Sequence, residues 1–81
     1  MPYIKQKART DLILGNRDPA NTGELNYTIS QLCRFYIENH GVRYQTYNDI
    51  IGALESCKLE FYRRMVLPYE NKKARENGDV Y

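Results

Sequence analysis

Apolar residues recur at helical spacing in two long segments of the chain. In the first, successive spacings of three and four residues place these positions on one face of a helix predicted over residues 22–40. Asn21 and Glu24 resemble a capping box at its start, and Gly41 favours a stop, because glycine accepts the left-handed conformation beyond a last turn. The stripe of this helix consists of Leu25, Ile29, Leu32, Cys33 and Tyr36.

The second segment predicts a helix over about residues 46–66. Thr46 and Asp49 are typical of a helix start, and Pro68 favours an end because proline has no amide to donate to the preceding turn. Its main stripe consists of Ile50, Ala53, Leu54, Cys57, Phe61 and Met65. A second apolar side, about 100 to 180° away, consists of Ile51, Leu59, Tyr62 and Val66.

These patterns predict an all-α fold, a small helical hairpin forming a single domain over residues 1–81. Short helical segments are expected on either side of the hairpin, over residues 7–14 and as a solvated helix over residues 69–77. The shared core is predicted to consist of Leu25, Ile29, Leu32, Tyr36, Ile50, Leu54, Cys57 and Phe61.

The length of 81 residues limits how much surface one copy can bury. A chain of this size buries only about 60 to 65% of the surface that its unfolded form exposes, so an additional source of burial is expected. Two cysteines and one histidine offer little for disulfides or zinc, which leaves oligomerisation. We therefore expect a homo-oligomer in which Leu59, or Tyr62 and Val66, contacts a second subunit unless the N-terminal segment covers them.

The formal net charge of +2 is too small to indicate nucleic-acid binding, and the centre of the chain is acidic. No apolar stretch approaches the roughly 18 residues of a membrane-spanning helix, so no membrane partner is expected. The composition favours a soluble, cytoplasmic protein.

Conventional catalysis finds little support in the sequence. There is no glycine-rich phosphate loop, nucleophile turn or histidine pair, so we expect no enzyme, no catalytic residue, no metal and no cofactor. His40 is the one histidine and is predicted to cap a helix end or lie on the surface. Cys33 and Cys57 lie on apolar stripes and are expected to form a reduced pair in the core.

The chain contains eight tyrosines and no tryptophan, which favours interfaces or the stacking of nucleobases. Tyr27 lies about 160° from the centre of the first stripe and is a ligand or interface candidate. Gly23 and Asn26 belong to the same helix start, where unpaired amides attract anions. The alternative is a capped helix start with nothing bound, because the Glu24 carboxylate can itself interact with those amides.

Aromatic and cationic residues also alternate near the end of the second helix. Tyr62, Arg63, Arg64 and Tyr69 together could stack a base and hold a phosphate, since arginine presents a planar fork of donors to oxyanions. The alternative is that Glu60 pairs with one of the two arginines.

Several stretches resemble an uncharacterised family of short phage, prophage and gut-bacterial proteins. They include the opening Met1-Pro2-Tyr3-Ile4, the central Gly23-Glu24-Leu25-Asn26-Tyr27 and the ending Asn77-Gly78-Asp79-Val80-Tyr81. The resemblance covers nearly the whole chain and brings no assigned activity. It implies a setting, because small phage proteins often bind and block a host component, including immune signals made of modified nucleotides.

Three functions follow as hypotheses. The first is an oligomeric sponge that sequesters a nucleotide-like signalling molecule, with Gly23, Asn26 and Tyr27 facing the tyrosine and arginine set across a subunit boundary. The second is a protein-binding module that inhibits a host protein or joins a phage assembly. The third, nucleic-acid binding, is the least favoured of these because of the small net charge.

Overall fold

The computed structural model describes residues 4–78 and is helical along most of this range. The α-helices are α1 (Gln6–Ile13), α2 (Thr22–His40), α3 (Tyr44–Phe61) and α4 (Leu67–Asn77), and a π-helical segment, Tyr62–Val66, joins α3 to α4. No strand occurs among these residues, so the predicted all-α class is confirmed. Residues 1–3 and 79–81, the outer parts of two stretches that carry the family resemblance, lie outside the described residues.

The chain forms two compact units, Met1–Thr46 and Tyr47–Tyr81. The first contains α1 and α2, and the second contains most of α3, the π-helical segment and α4. The expectation of a single domain stays a prediction. Within the described range, none of the helices combines the length and the apolar character that crossing a membrane requires.

In the first unit, α1 packs against α2. Ile4 and Leu12 are the buried apolar residues of the described chain. Tyr27, which contacts α1, projects from the side of α2 roughly opposite the predicted stripe. The helix therefore turns a largely polar side towards α1 and leaves its most apolar side exposed.

The predicted shared core is not buried in the single chain. Leu25 is 50% exposed, Leu32 63% and Phe61 60%, and of the eight predicted core residues only Ile50 is even partly buried. Cys33 is partly buried and Cys57 is exposed, both as free thiols, so the expectation of a buried cysteine pair was wrong for Cys57. The prediction of a buried core failed because helical spacing identifies an apolar face but not what covers it.

The ends of α2 follow the prediction. Asn21 Oδ1 accepts a hydrogen bond from the Glu24 amide at 2.9 Å, which satisfies one free donor of the first turn. At the other end the Gly41 amide donates to the Ile37 carbonyl, and Gly41 has a φ of 89°, a conformation that favours glycine. His40 lies on the surface and stacks on Tyr36, with 4.1 Å between ring centroids.

The second long helix differs from the prediction at both ends. It begins at Tyr44, two residues before the predicted start, and helical structure continues through Pro68. The Leu67 amide donates to the Tyr62 carbonyl five residues back, so the turn before the proline widens instead of breaking. In a regular α-turn the Pro68 ring would clash with the carbonyl four residues back, and a wider turn relieves that clash. The predicted C-terminal helix is confirmed as α4.

Thr46 is placed differently from its predicted role as a helix cap. It lies inside the first turn of α3 and is only 1% exposed. Its hydroxyl oxygen is buried and has no hydrogen-bond partner. A buried hydroxyl without a partner destabilises a fold by about 1 to 3 kcal/mol.

The substitution Thr46→Val therefore tests this placement. Valine has nearly the same shape and the same branched Cβ but no hydroxyl, so we expect the free energy of unfolding to rise by about 1 kcal/mol. Urea denaturation followed by circular dichroism gives this value. If Thr46 capped the helix instead, Thr46→Val would lower the stability, and that result would contradict the observed burial.

Candidate ligand-binding site

The start of α2 is fixed by an ion pair within the first unit. Both terminal nitrogens of the Arg17 guanidinium donate to the Glu24 carboxylate, Nη1 to Oε1 at 2.6 Å and Nη2 to Oε2 at 2.9 Å. The same carboxylate accepts from the Ala20 amide at 2.9 Å. Glu24 thus ties the loop before α2 to the first turn of the helix, and its side chain is only 13% exposed.

These contacts change the electrostatics of the helix start. The hydrogen bond from Arg17 lowers the pKa of Glu24 to about 2, and the Ala20 amide acts in the same direction. A negative charge near a helix N-terminus is favourable because the macrodipole is positive there. Glu24 therefore supplies the anion that the free amides beside Gly23 could otherwise attract. This geometry matches the alternative interpretation of the sequence, in which Glu24 caps the start of the helix.

A second cation of the first unit, Arg9, lies over the ring of Tyr27. The Arg9 guanidinium carbon is 5.9 Å from the Tyr27 ring centroid, which is within range of a cation–π interaction. Arg9 Nε donates to the Ile4 carbonyl at 2.8 Å, so the side chain is held at two points. Within residues 4–78, no carboxylate forms an ion pair with Arg9 and no hydrogen bond engages its Nη1 or Nη2.

Arg9 and Tyr27 line a cleft of about 230 Å³ between α1 and α2. The polar part of the wall comes from Arg9 and from Gln6 and Thr10, whose side chains lie 3.4 Å apart between Nε2 and Oγ1. Its apolar part comes from Ile13, Leu14 and the Tyr27 ring. A partly buried arginine with unused donors, set beside an aromatic ring, favours a planar, negatively charged ligand.

The predicted set near the end of α3 lies in the second unit, where its cations have partners. Arg63 donates to both oxygens of Glu60, at 3.0 and 2.9 Å, and Arg64 Nε also donates to Glu60. The hydrogen bonds from Arg64 and Arg63 lower the pKa of Glu60. One carboxylate therefore offsets part of the charge of two arginines, as the alternative interpretation of this segment expected.

The aromatic members of that set are also engaged. The Tyr62 hydroxyl donates to Glu70 at 2.9 Å, which raises the pKa of Tyr62, and Lys73 lies 5.6 Å from the centre of the Tyr69 ring. All four residues of the set, Tyr62, Arg63, Arg64 and Tyr69, are exposed. They form a solvated surface on which each polar group has a neighbour.

The predicted site residues fall into both units, and each group is described by itself. Gly23, Asn26 and Tyr27 lie on α2 of the first unit, where Tyr27 and Gly23 are partly buried and Asn26 is exposed. Sequence reasoning missed Arg9, Gln6 and Thr10. The spacing of residues along one helix does not predict how α1 packs against α2. Across residues 4–78, no three His, Cys, Asp or Glu side chains group as metal ligands.

The fold and the cleft define a small all-α protein with a candidate binding site for a small ligand. A family model described as a domain of unknown function (DUF6899) matches residues 1–80, so the chain belongs to this family. Membership agrees with the resemblance to an uncharacterised family. No curated protein and no solved structure matches the chain.

The ion pair at the start of α2 predicts how stability changes with pH. Because the folded-state pKa of Glu24 is about 2, against an ordinary 4.5, its contribution is fully present above pH 4.5 and is lost as the pH falls towards 2. We expect Glu24→Gln to lower the melting temperature at pH 7 and to reduce its decline between pH 4.5 and 2. Thermal unfolding followed by circular dichroism at several pH values measures both effects.

Glu38→Gln serves as the matched control, because Glu38 is an exposed carboxylate of the same helix. It should keep the wild-type decline in melting temperature. Superimposable pH profiles for the wild type and Glu24→Gln would show that the ion pair does not stabilise the fold.

Proposed function

We propose that this protein binds and sequesters a small phosphate-bearing, nucleobase-like molecule without carrying out chemistry on it. The observation that supports this most is Arg9, a partly buried cation in the cleft whose Nη groups have no partner within residues 4–78. Lys5 and Lys7 add positive charge along the same segment, against Asp11. An anion in the cleft would therefore gain both hydrogen bonds and a favourable field.

The ligand class follows from the lining of the cleft. Phosphate oxygens suit the planar fork of Arg9, and a flat base suits the Tyr27 ring with the apolar wall of Ile13 and Leu14. Gln6 and Thr10 already hydrogen-bond each other, and the Gln6 amide has a second N–H and an oxygen that can hydrogen-bond ligand polar groups. None of these residues needs to be a nucleophile or a base for such binding.

The size of the cleft indicates that it holds only part of such a ligand. Its volume of about 230 Å³ is below the roughly 300 to 1,000 Å³ of typical pockets for drug-sized molecules. In this proposal a second subunit supplies the rest of the site. The predicted set Tyr62, Arg63, Arg64 and Tyr69 has the right composition, and Glu60 leaves one net positive charge on its two arginines.

The resemblance to phage and prophage proteins supplies a setting for this proposal. A protein that binds a host signalling nucleotide tightly lowers its free concentration, and needs no catalytic residue to do so. An anti-defence sponge of this kind requires only affinity and abundance. The proposed ligand class includes cyclic nucleotides and derivatives of adenosine diphosphate ribose.

The test is calorimetric titration of the full chain with a panel of these nucleotides, with single-stranded and duplex DNA as comparison. Arg9→Ala should weaken binding at least tenfold, since a hydrogen bond to a charged group contributes about 1.5 to 3 kcal/mol. Tyr27→Leu should weaken it several-fold, because losing a stacked base costs about 1 to 3 kcal/mol.

Lys7→Ala is the matched control, since it removes an exposed cation from the same helix. It should bind within about twofold of the wild type, as expected for a screened surface charge. Arg63→Ala then shows whether the set of Tyr62, Arg63, Arg64 and Tyr69 contributes to nucleotide binding. Loss of binding in Arg63→Ala with none in Arg9→Ala would place the site outside the cleft, and no binding to any nucleotide would favour a protein partner.

A further inference from the structure

The cleft between α1 and α2 presents a single charge to a ligand. Of the side chains within residues 4–78 that line it, only that of Arg9 is charged. We infer that the cleft prefers a phosphodiester, as in a cyclic nucleotide, over a terminal phosphomonoester. This inference rests on the proposed function, because it specifies which phosphate chemistry the nucleotide brings to Arg9.

The free edge of the Arg9 guanidinium matches a phosphodiester. The Arg9 Nε–H already donates to the Ile4 carbonyl at 2.8 Å, so the edge that remains is the one formed by Nη1 and Nη2. Two parallel N–H groups on this edge can bind two oxygens of one phosphate. A phosphodiester has two terminal oxygens that share one negative charge, and Arg9 supplies one positive charge.

A phosphomonoester would bring a charge that the cleft does not neutralise. Near neutral pH it is largely a dianion, since its second pKa is about 6. Arg9 can balance only one of its two charges, and the adjoining wall of Ile13 and Leu14 is apolar. Removing a charge from water without a partner is costly, so the dianion should bind more weakly than the monoanion.

The neighbouring cations of the first unit do not supply the missing partner. Both Nη groups of Arg17 donate to the Glu24 carboxylate, so the charge of Arg17 is already offset. Lys5 and Lys7 are exposed and lie outside the lining, where solvent and salt screen their charges. Asp11 adds a carboxylate to the same helix, which opposes a second negative charge on the ligand.

Calorimetric titration of the full chain with adenosine 3′,5′-cyclic monophosphate and adenosine 5′-monophosphate tests the inference. The two probes share a base and a sugar and differ in how the phosphate is esterified. At pH 7.5 we expect the monophosphate to bind about tenfold more weakly or worse. At pH 5.0 it is mostly a monoanion, and the difference should fall to about threefold or less. The same comparison is made with the guanosine pair.

The cyclic probe controls for effects of pH on the protein, since its phosphate does not titrate between these values. Both pH values lie above the range in which the Glu24 ion pair is lost. Histidine is the side chain that ordinarily titrates between them, and His40 lies beyond Tyr27 at the C-terminal end of α2, about 20 Å along the helix axis. The readout is therefore the ratio of the two dissociation constants.

Leu14→Lys tests whether charge is the cause. It adds a second cation to the lining at a side chain that is 67% exposed, so the fold should tolerate it. At pH 7.5 this variant should reduce the ratio of the dissociation constants by about threefold, because the second charge of the monophosphate gains a partner. Lys7→Ala removes a cation outside the lining and should leave the ratio unchanged.

Two results would overturn the inference while leaving the proposed function in place. One is a monophosphate that binds at pH 7.5 as tightly as the cyclic probe or more tightly. The other is an unchanged ratio in Leu14→Lys when circular dichroism shows the helical content of the wild type. If no probe of either pair binds at either pH, the proposed function fails and the inference fails with it.

Discussion

The Arg17–Glu24 ion pair is the contact on which the arrangement of the first unit depends. It joins the loop that follows α1 to the first turn of α2, while the Ala20 amide and the Asn21 side chain complete the helix start. The same loop connects α1 to α2, and Arg9 of α1 lies over the Tyr27 ring of α2. Glu24 already occupies the free amides at the start of α2, whereas Arg9 at the cleft forms no ion pair within residues 4–78. In the proposed binding mode, an anion would therefore bind at the cleft and not at the start of α2.

The second constraint is how little apolar surface the described chain buries. Ile4 and Leu12 are its buried apolar residues, while large apolar side chains along α2 and α3 remain exposed. A domain of this size is marginally stable even when its core is well formed. An additional source of burial would therefore raise the stability of this chain.

Much of the secondary structure could be predicted from the sequence because its signals are local. The bounds of α2 follow from Asn21, Glu24 and Gly41, and each acts within a few residues of the helix end that it defines. Pro68 was misinterpreted, since a stop signal for an α-helix does not exclude a π-turn before it. The burial of the apolar stripes and the position of Arg9 depend on contacts between elements. Spacing along one helix does not predict such contacts. Tyr27 was therefore predicted as a candidate from the sequence, and its partner Arg9 was not.

The most direct measurement of the central claim is two-dimensional NMR of the arginine side chains and backbone amides during addition of an adenosine-diphosphate-ribose derivative or a cyclic nucleotide. The Arg9 Nε–H, held by the Ile4 carbonyl, gives a probe at the cleft itself. We expect its signal and the Tyr27 amide signal to shift together and to saturate, while Arg34, exposed and outside the cleft, stays unchanged. Saturable shifts confined to residues outside the cleft, or no shift with any ligand of this class, would contradict the claim that Arg9 and Tyr27 form a nucleotide-binding site.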